Sequence, residues 1–446
     1  MIYIQNIENS FNTNSQNLFT QLKDFEKANL NLEAESTAFV RVNGNKVRQN
    51  TDVEQATVSL NLQRSGRSYA TSFTITGQVS LDAERFGMAL QQARHACDQL
   101  PEDPFLVEVK NNGQSEQRFT GGLLPAEQLI STLLEPSVGL DIAGIYCGGL
   151  KLIANQNSAG QKHLFLTESF YYDYSLYNGA KAAKGMYAGT HFDKNAFKIK
   201  INETARDLKM MDQPKKKLAP GAYRAYLAPA AVAELYSPFN WTGTLSYAAY
   251  KQGICPLNKL ADKERSFSPL YSLNENFSTG LTPRFNSLGE LAPESMPLIE
   301  KGQLKNFFIS SRSAKEYGAK ANMADNNEGF RALEMQPGSL KREDILKELG
   351  TGLYLSNLHY VNYSDRQEAR LTGMTRYACF WVENGQIVAP IEDLRFDESL
   401  YSCFGDNLLA VTEFSEINPS TMTYESRSIG GDKVCGVLVK DFKFTL

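Results

Sequence analysis

Four histidines and six cysteines are the side chains of this 446-residue chain best suited to hold a metal or attack a substrate. Their spacing decides which chemistry is open to them. His95, His163, His191 and His359 lie far apart, and none belongs to a His-Glu-x-x-His helix, which would set two imidazoles and a general base on one face. In "ARHACD" a helix would place His95 and Cys97 about 200° apart around its axis, pointing away from each other. "THFD" is more open. Extended, it would aim His191 and Asp193 the same way, as a metal pair or an acid-base pair needs; at a loop end, Asp193 would instead cap the next helix. His359 sits in "SNLHYVNYSDR" with Asn357, Asn362, Ser364, Asp365 and Arg366, the densest polar cluster beside an aromatic strand, which suits ligand binding as well as plain turn formation. Cys97, Cys147, Cys255, Cys379, Cys403 and Cys435 are scattered with no Cys-x-x-Cys pair, which reads as reduced thiols. Cys379, inside "YACFWV", reads as a buried structural thiol. No Rossmann glycine fingerprint, Walker A loop or Gly-x-Ser-x-Gly elbow occurs.

The elements that must position these residues divide into two halves. Leu18, Phe19, Leu22 and Phe25 recur at helical spacing and predict an amphipathic helix from about Ser15 to Ala28. "ESTAFVRVNGNKVRQN" and "ATVSLNLQRSGRSYATSFTITG" alternate around Asn-Gly and Ser-Gly turns and predict two hairpins. "SLDAERFGMALQQARHACDQL" restores the helical period, with Ser80 as its expected cap. Aromatic strands follow between Asp141 and Ile201. "MMDQPKKKLAPGAY", with three successive lysines, reads as a solvated linker. Beyond it come the helix "PAAVAELYS" with Glu234 on its solvent side, a hairpin at Lys301-Gly302, another at Asn384-Gly385 and a closing strand "VCGVLVKDFKFTL". The expectation is an α+β fold in two domains: residues 1–212 as a sheet with flanking helices, 213–221 as linker, and 222–446 as a strand-rich domain of mostly antiparallel sheets.

Composition narrows the classes further. With 42% apolar and 22% charged residues the chain is an ordinary globular one, and a net charge of -4 gives no field to attract a polyanion, so nucleic-acid binding is not expected. The N-terminal residues carry neither a basic leader nor a continuous apolar run, and no window approaches 18 apolar residues. A cytoplasmic protein without membrane spans is expected.

The order of "PLIEKGQLKNFFISSRSAKEYG", "GLYLSNLHYVNYS", "GMTRYACFWVENGQIVAPIEDLRF" and "VLVKDFKFTL" resembles the TldD/PmbA family, once called modulators of DNA gyrase, and "ESTAFVRVNGNKVRQNTDVEQATVSL" is similar to its opening sheet. The resemblance implies a two-domain subunit of a cytosolic zinc-dependent peptidase system, in which a TldD subunit pairs with a homologous TldE or PmbA subunit around a cavity for unfolded peptides. The TldD side carries a His-Glu-x-x-x-His helix after the linker and a distant cysteine as third zinc ligand. Here the corresponding "PAAVAELYS" has Glu234 and no histidine, so the chain resembles the TldE/PmbA side: no catalytic or metal residues of its own, zinc in a TldD-like partner, and a homodimer as the alternative assembly. One departure is "NYSDRQEARLTGMTR", where many members have a Thr-Gly-x-Phe-Ser run. Asn357, His359, Arg366 and Arg376 are the residues expected to contact peptide or partner. Two other readings are an independent metal-dependent hydrolase using His191, Asp193, His359 or the cysteines, and a gyrase-associated binding protein.

Overall fold

The computed structural model describes residues 2–445. Seven strands, β1 (Glu26–Asn43), β2 (Lys46–Arg64), β3 (Arg67–Thr74), β4 (Gln114–Phe119), β5 (Asp141–Asn157), β6 (Lys162–Asn178) and β7 (Lys181–Gly189), form the N-terminal sheet. Their order is β3-β2-β1-β5-β6, with β4 and β7 both bonded to the outer edge of β6. "NLNLEAE" in β1 explains the sheet's two faces. Successive side chains point opposite ways, so Leu30, Leu32 and Ala34 share one face, while Asn29, Asn31, Glu33 and Glu35 share the other.

The apolar face is covered by four helices, α1 (Ile2–Thr20), α2 (Val79–Cys97), α3 (Ala126–Leu134) and α4 (Lys194–Met210). Ile4, Ile7 and Phe11 of α1 and Phe86 and Leu90 of α2 pack on Leu30, Leu32, Val58 and Leu60. Leu133 of α3 and Phe197 and Ile201 of α4 pack with Val40, Tyr146 and Tyr172. The first helix differs from the expected Ser15–Ala28: it ends at Thr20, and residues from Glu26 onward belong to β1. Its Asn, Ser and Thr content gives little intrinsic helicity, and packing of the Ile4, Ile7, Phe11 and Leu18 stripe supplies the stability instead. Ser80 is not the cap of α2. Gln78 holds that position without a side-chain bond, and the Asp82 carboxylate takes the Thr76 and Gly77 amides at 2.8 and 2.9 Å and the Ser10 hydroxyl at 2.7 Å.

The second sheet is built entirely from residues after the lysine-rich connector. Its centre is β8 (Gly221–Leu227), flanked by the strand Gly352–Leu355 in parallel and by the C-terminal strand Gly431–Phe444 in antiparallel pairing. The remaining strands extend outward on both sides, mostly antiparallel. After β8 the chain enters α5 (Pro229–Tyr236), whose Pro229 supplies the fixed φ of a first turn, and whose Val232, Leu235 and Tyr236 join the core. The hairpin Asn357–Asp365/Arg370–Arg376 packs beside α5, with Asn357–Asp365 at its free edge. Lys301-Gly302 and Asn384-Gly385 turn with positive φ at all four residues, as such hairpins require. The connector is not freely solvated. Lys216 donates its amide to Pro390 O at 2.7 Å, and its ammonium lies 4.5 Å from the Trp381 ring centre and 2.8 Å from Glu383.

The polar face of the first sheet is buried by two loops of the second half. Asn29 and Asn31 both donate to Ser287 O at 2.9 Å, and Gln161 donates to Leu288 O at 3.0 Å. His163, stacked 5.3 Å from Phe285 and bonded to Ser115, lies in the same seam. Farther along, Arg427 enters from the loop between the last two strands. Its guanidinium donates to Thr37 Oγ1, Ser169 Oγ and Gly149 O at 3.3, 3.0 and 3.0 Å. The two halves are thus joined by hydrogen bonds over most of this face.

Candidate functional site

One end of that polar face stays uncovered. Arg41, Ile145 and Asp173 are register neighbours on β1, β5 and β6, and Ala143, Ser175 and Lys184 continue the row on β5, β6 and β7, so all six project from the same side. The turn from β6 to β7 is the two-residue Gly179-Ala180, with Gly179 at φ +60°, and its register puts Lys184 diagonally beside Asp173. Their Nζ and Oδ1 atoms are 2.6 Å apart. Arg41, Gly144, Ile145, Asp173, Ser175 and Lys184 line a groove of about 240 Å³.

The facing wall comes from the second half. Tyr377 brings Lys184 and Arg376 together: its ring centre lies 6.0 Å from the Lys184 ammonium and 5.3 Å from the Arg376 guanidinium. The His359 imidazole is held below its usual range by burial and by the charges of Arg376 and Lys184, so it is neutral at pH 7. On α5, burial raises the Glu234 carboxyl above the usual carboxylate range, and Lys184 pulls it back down. Glu234 is therefore half-buried beside a lysine of the other domain, not the solvated side chain its helical position suggests. Tyr360 and Tyr377 take φ of +54° and +65°. Bulky residues adopt this region only under constraint, and such strain concentrates at ligand clamps and switches.

Three of the four residues picked from sequence meet here. Asn357 and Arg376 are register partners, and His359 is two residues along from Asn357 on the same side of its strand. Arg366 does not join them. It sits at the hairpin's far turn, exposed, about 20 Å along the strand from His359. Sequence reasoning missed Arg41, Asp173 and Lys184, and read Glu234 as a solvated side chain. Only the Asn178-Gly179 dipeptide signalled the hairpin that makes Asp173 and Lys184 neighbours.

The other predicted metal donors are occupied elsewhere. Asp193 caps α4, accepting from the Asn195 and Ala196 amides at 2.7 and 3.0 Å, and His191 turns to Thr190 at 3.1 Å. Asp193→Ala is expected to cost about 1 kcal/mol of stability. Thermal unfolding reads this directly; an unchanged midpoint would refute the cap's contribution. All six cysteines are free and buried, and burial pushes the Cys435 thiol up to about 12, far from a thiolate ligand. Among the described residues no three His, Cys, Asp or Glu side chains gather as a metal-holding group. The charged neighbour of Glu234 is Lys184, and His359 is flanked by Arg376 and Lys184; a cation beside each of these two donors does not fit a zinc ion. No helix among the described residues is long and apolar enough to cross a membrane.

Comparison with known proteins connects this geometry to a family. No curated protein matches the chain in sequence. Among solved structures, the fold is similar to TldE from Thermococcus kodakarensis, with a TM-score of 0.77 at 14% identity over 99% of this chain and 100% of that one. It is also similar to two proteins named for modulation of DNA gyrase. One, from Bacteroides thetaiotaomicron, has a TM-score of 0.77 at 15% identity, covering 98% of both chains. The other, from Thermotoga maritima, has a TM-score of 0.75 at 13% identity, covering 98% of this chain and 100% of that one. Residues 220–446 match the family model described as the PmbA/TldA metallopeptidase C-terminal domain, and that stretch holds β8, α5 and the hairpin of the cleft. With half of its length matched, and the fold shared from end to end, the chain belongs to the PmbA/TldD family.

Proposed function

We propose that this chain is the noncatalytic, TldE/PmbA-like subunit of a TldD/TldE-type peptidase complex, and that its interdomain cleft holds an unfolded peptide for a zinc-bearing TldD-like partner. The carrying observation is the cleft's composition. It presents a free strand edge at Asn357–Asp365, exposed apolar side chains at Ile145, Tyr360 and Met374, and polar groups at Lys184, Glu234, His359 and Arg376. An extended peptide is held by backbone hydrogen bonds to such an edge, with apolar side chains beside it. α5 carries a glutamate and no histidine, and the lysine beside Glu234 suits a binding site for a polar group better than a metal centre.

Peptidase assays on unstructured peptides test the reading. The purified chain alone is expected to bind them without cleaving them, and cleavage is expected only after addition of a homologous subunit with a His-Glu-x-x-x-His helix. Chelator-sensitive cleavage by this chain alone would overturn the proposal, as would a complex whose activity is indifferent to its presence.

A further inference from the structure

Within the peptide-binding reading, on which this inference rests, the charges of the cleft specify one part of the ligand. Lys184 and Arg376 approach the Tyr377 ring from β7 and the Arg370–Arg376 strand, and Arg41 lines the same groove as Lys184. Asp173 occupies Lys184 at 2.6 Å, whereas Arg41 and Arg376 have no carboxylate partner among the described residues. Arg376 is exposed, and its guanidinium lies 5.3 Å from the ring of Tyr377, which the backbone holds at a positive φ. A planar guanidinium beside an aromatic ring keeps its forked N–H donors free for a bidentate acceptor. His359, two residues along from Arg376's register partner Asn357, is neutral and can donate one N–H without adding charge.

We infer that Arg376, assisted by Lys184 and His359, binds a carboxylate group of the peptide held in the cleft. The charge count selects this chemistry. Asp173 matches Lys184, so the unmatched cation beside Tyr377 is the single Arg376 guanidinium, which balances one carboxylate, while a phosphate dianion would bring a second negative charge next to Asp173. The carboxylate is supplied either by the end of the peptide chain or by an acidic side chain within it, and both present the same two oxygens to Arg376.

The test is fluorescence anisotropy on the full chain with three versions of one labelled, unstructured peptide. The first has a free C-terminal carboxylate and no acidic residue. The second is its C-terminal amide. The third is the amide with one internal glutamate. At least one carboxylate-bearing version is expected to bind about 10- to 100-fold tighter than the plain amide, the value of a charge-assisted pair. Which version gains names the source. Arg376→Gln is expected to abolish the gain while leaving binding of the plain amide in place, and Arg206→Gln, on the opposite face of the sheet, is expected to leave the gain intact. Equal binding of all three peptides by the parent chain would overturn the carboxylate site and leave the peptide-binding reading standing. A gain that survives Arg376→Gln would also overturn it. If no version bound at all, both would fall together.

Discussion

Replacing Arg427 by methionine is expected to destabilise the chain by about 3–5 kcal/mol, the cost of breaking a buried, hydrogen-bonded charge. Arg427 is 2% exposed and is the largest fully buried side chain among the described residues. Burial alone would expel a guanidinium, and depresses its proton affinity here; three acceptors and the nearby Glu35 hold it in place. Glu35 is itself 1% exposed, and takes its bonds from Thr37, Gln55 and the Arg427 backbone amide. Methionine matches the length but satisfies none of the acceptors, and it leaves the Glu35 carboxylate without its neighbouring cation. Lysine keeps the charge and reaches one acceptor in place of three, so Arg427→Lys should fall between the parent and methionine. Equilibrium unfolding in guanidinium reads the series. A loss under about 1 kcal/mol for Arg427→Met would show that the guanidinium does not hold the two halves together.

Gly289→Ala should have an effect of similar size through a different cause. Gly289 has a φ of +73°, and an added Cβ would lie 1.7 Å from Gln161 Nε2 and 2.6 Å from Asn155 Oδ1. Neither amide can retreat. Asn155 is 0% and Gln161 2% exposed, and Asn155 donates to Asn29 and Asn31 at 2.9 and 2.8 Å while those two donate onward to Ser287 O. The left-handed backbone costs alanine about 1–2 kcal/mol. Each buried amide left unpaired adds about 1–3 kcal/mol. Gly253 separates these contributions, because its φ is +71° and nothing lies within 4 Å of its added Cβ. Gly253→Ala should therefore lose only the backbone part. Equal losses for the two variants in thermal unfolding would rule out the amide seam as the source of the effect.

Both predictions rest on a surface that the sequence disguises. The alternation in β2 and β3 was readable, and so were the hairpins around Ser65-Gly66, Lys301-Gly302 and Asn384-Gly385, because period and turn chemistry are local. Polar residues at every second position suit a solvated face, yet Asn29, Glu35 and Thr37 are buried by loops more than 250 residues away. No local pattern separates an asparagine facing water from one facing a backbone carbonyl of a distant loop. The cleft was partly legible for the same reason. Asn357 and His359 stood out as a polar cluster on one strand, whereas Asp173, Lys184 and Glu234 become a site only when β7 and α5 face each other. Arg366 shared the cluster's composition but lies past the strand's end, a matter of distance that composition does not encode.

The polar seam also sets an order of events during synthesis. Ser426 and its partner Glu33 are separated by 393 residues, so the first sheet leaves the ribosome long before its cover exists. At cellular elongation rates that wait lasts on the order of 20–80 s. An uncovered apolar sheet would invite aggregation throughout this interval. A face of asparagine, glutamate and threonine is instead at home in water, and can exchange its hydration for Arg427 and Ser287 whenever they arrive.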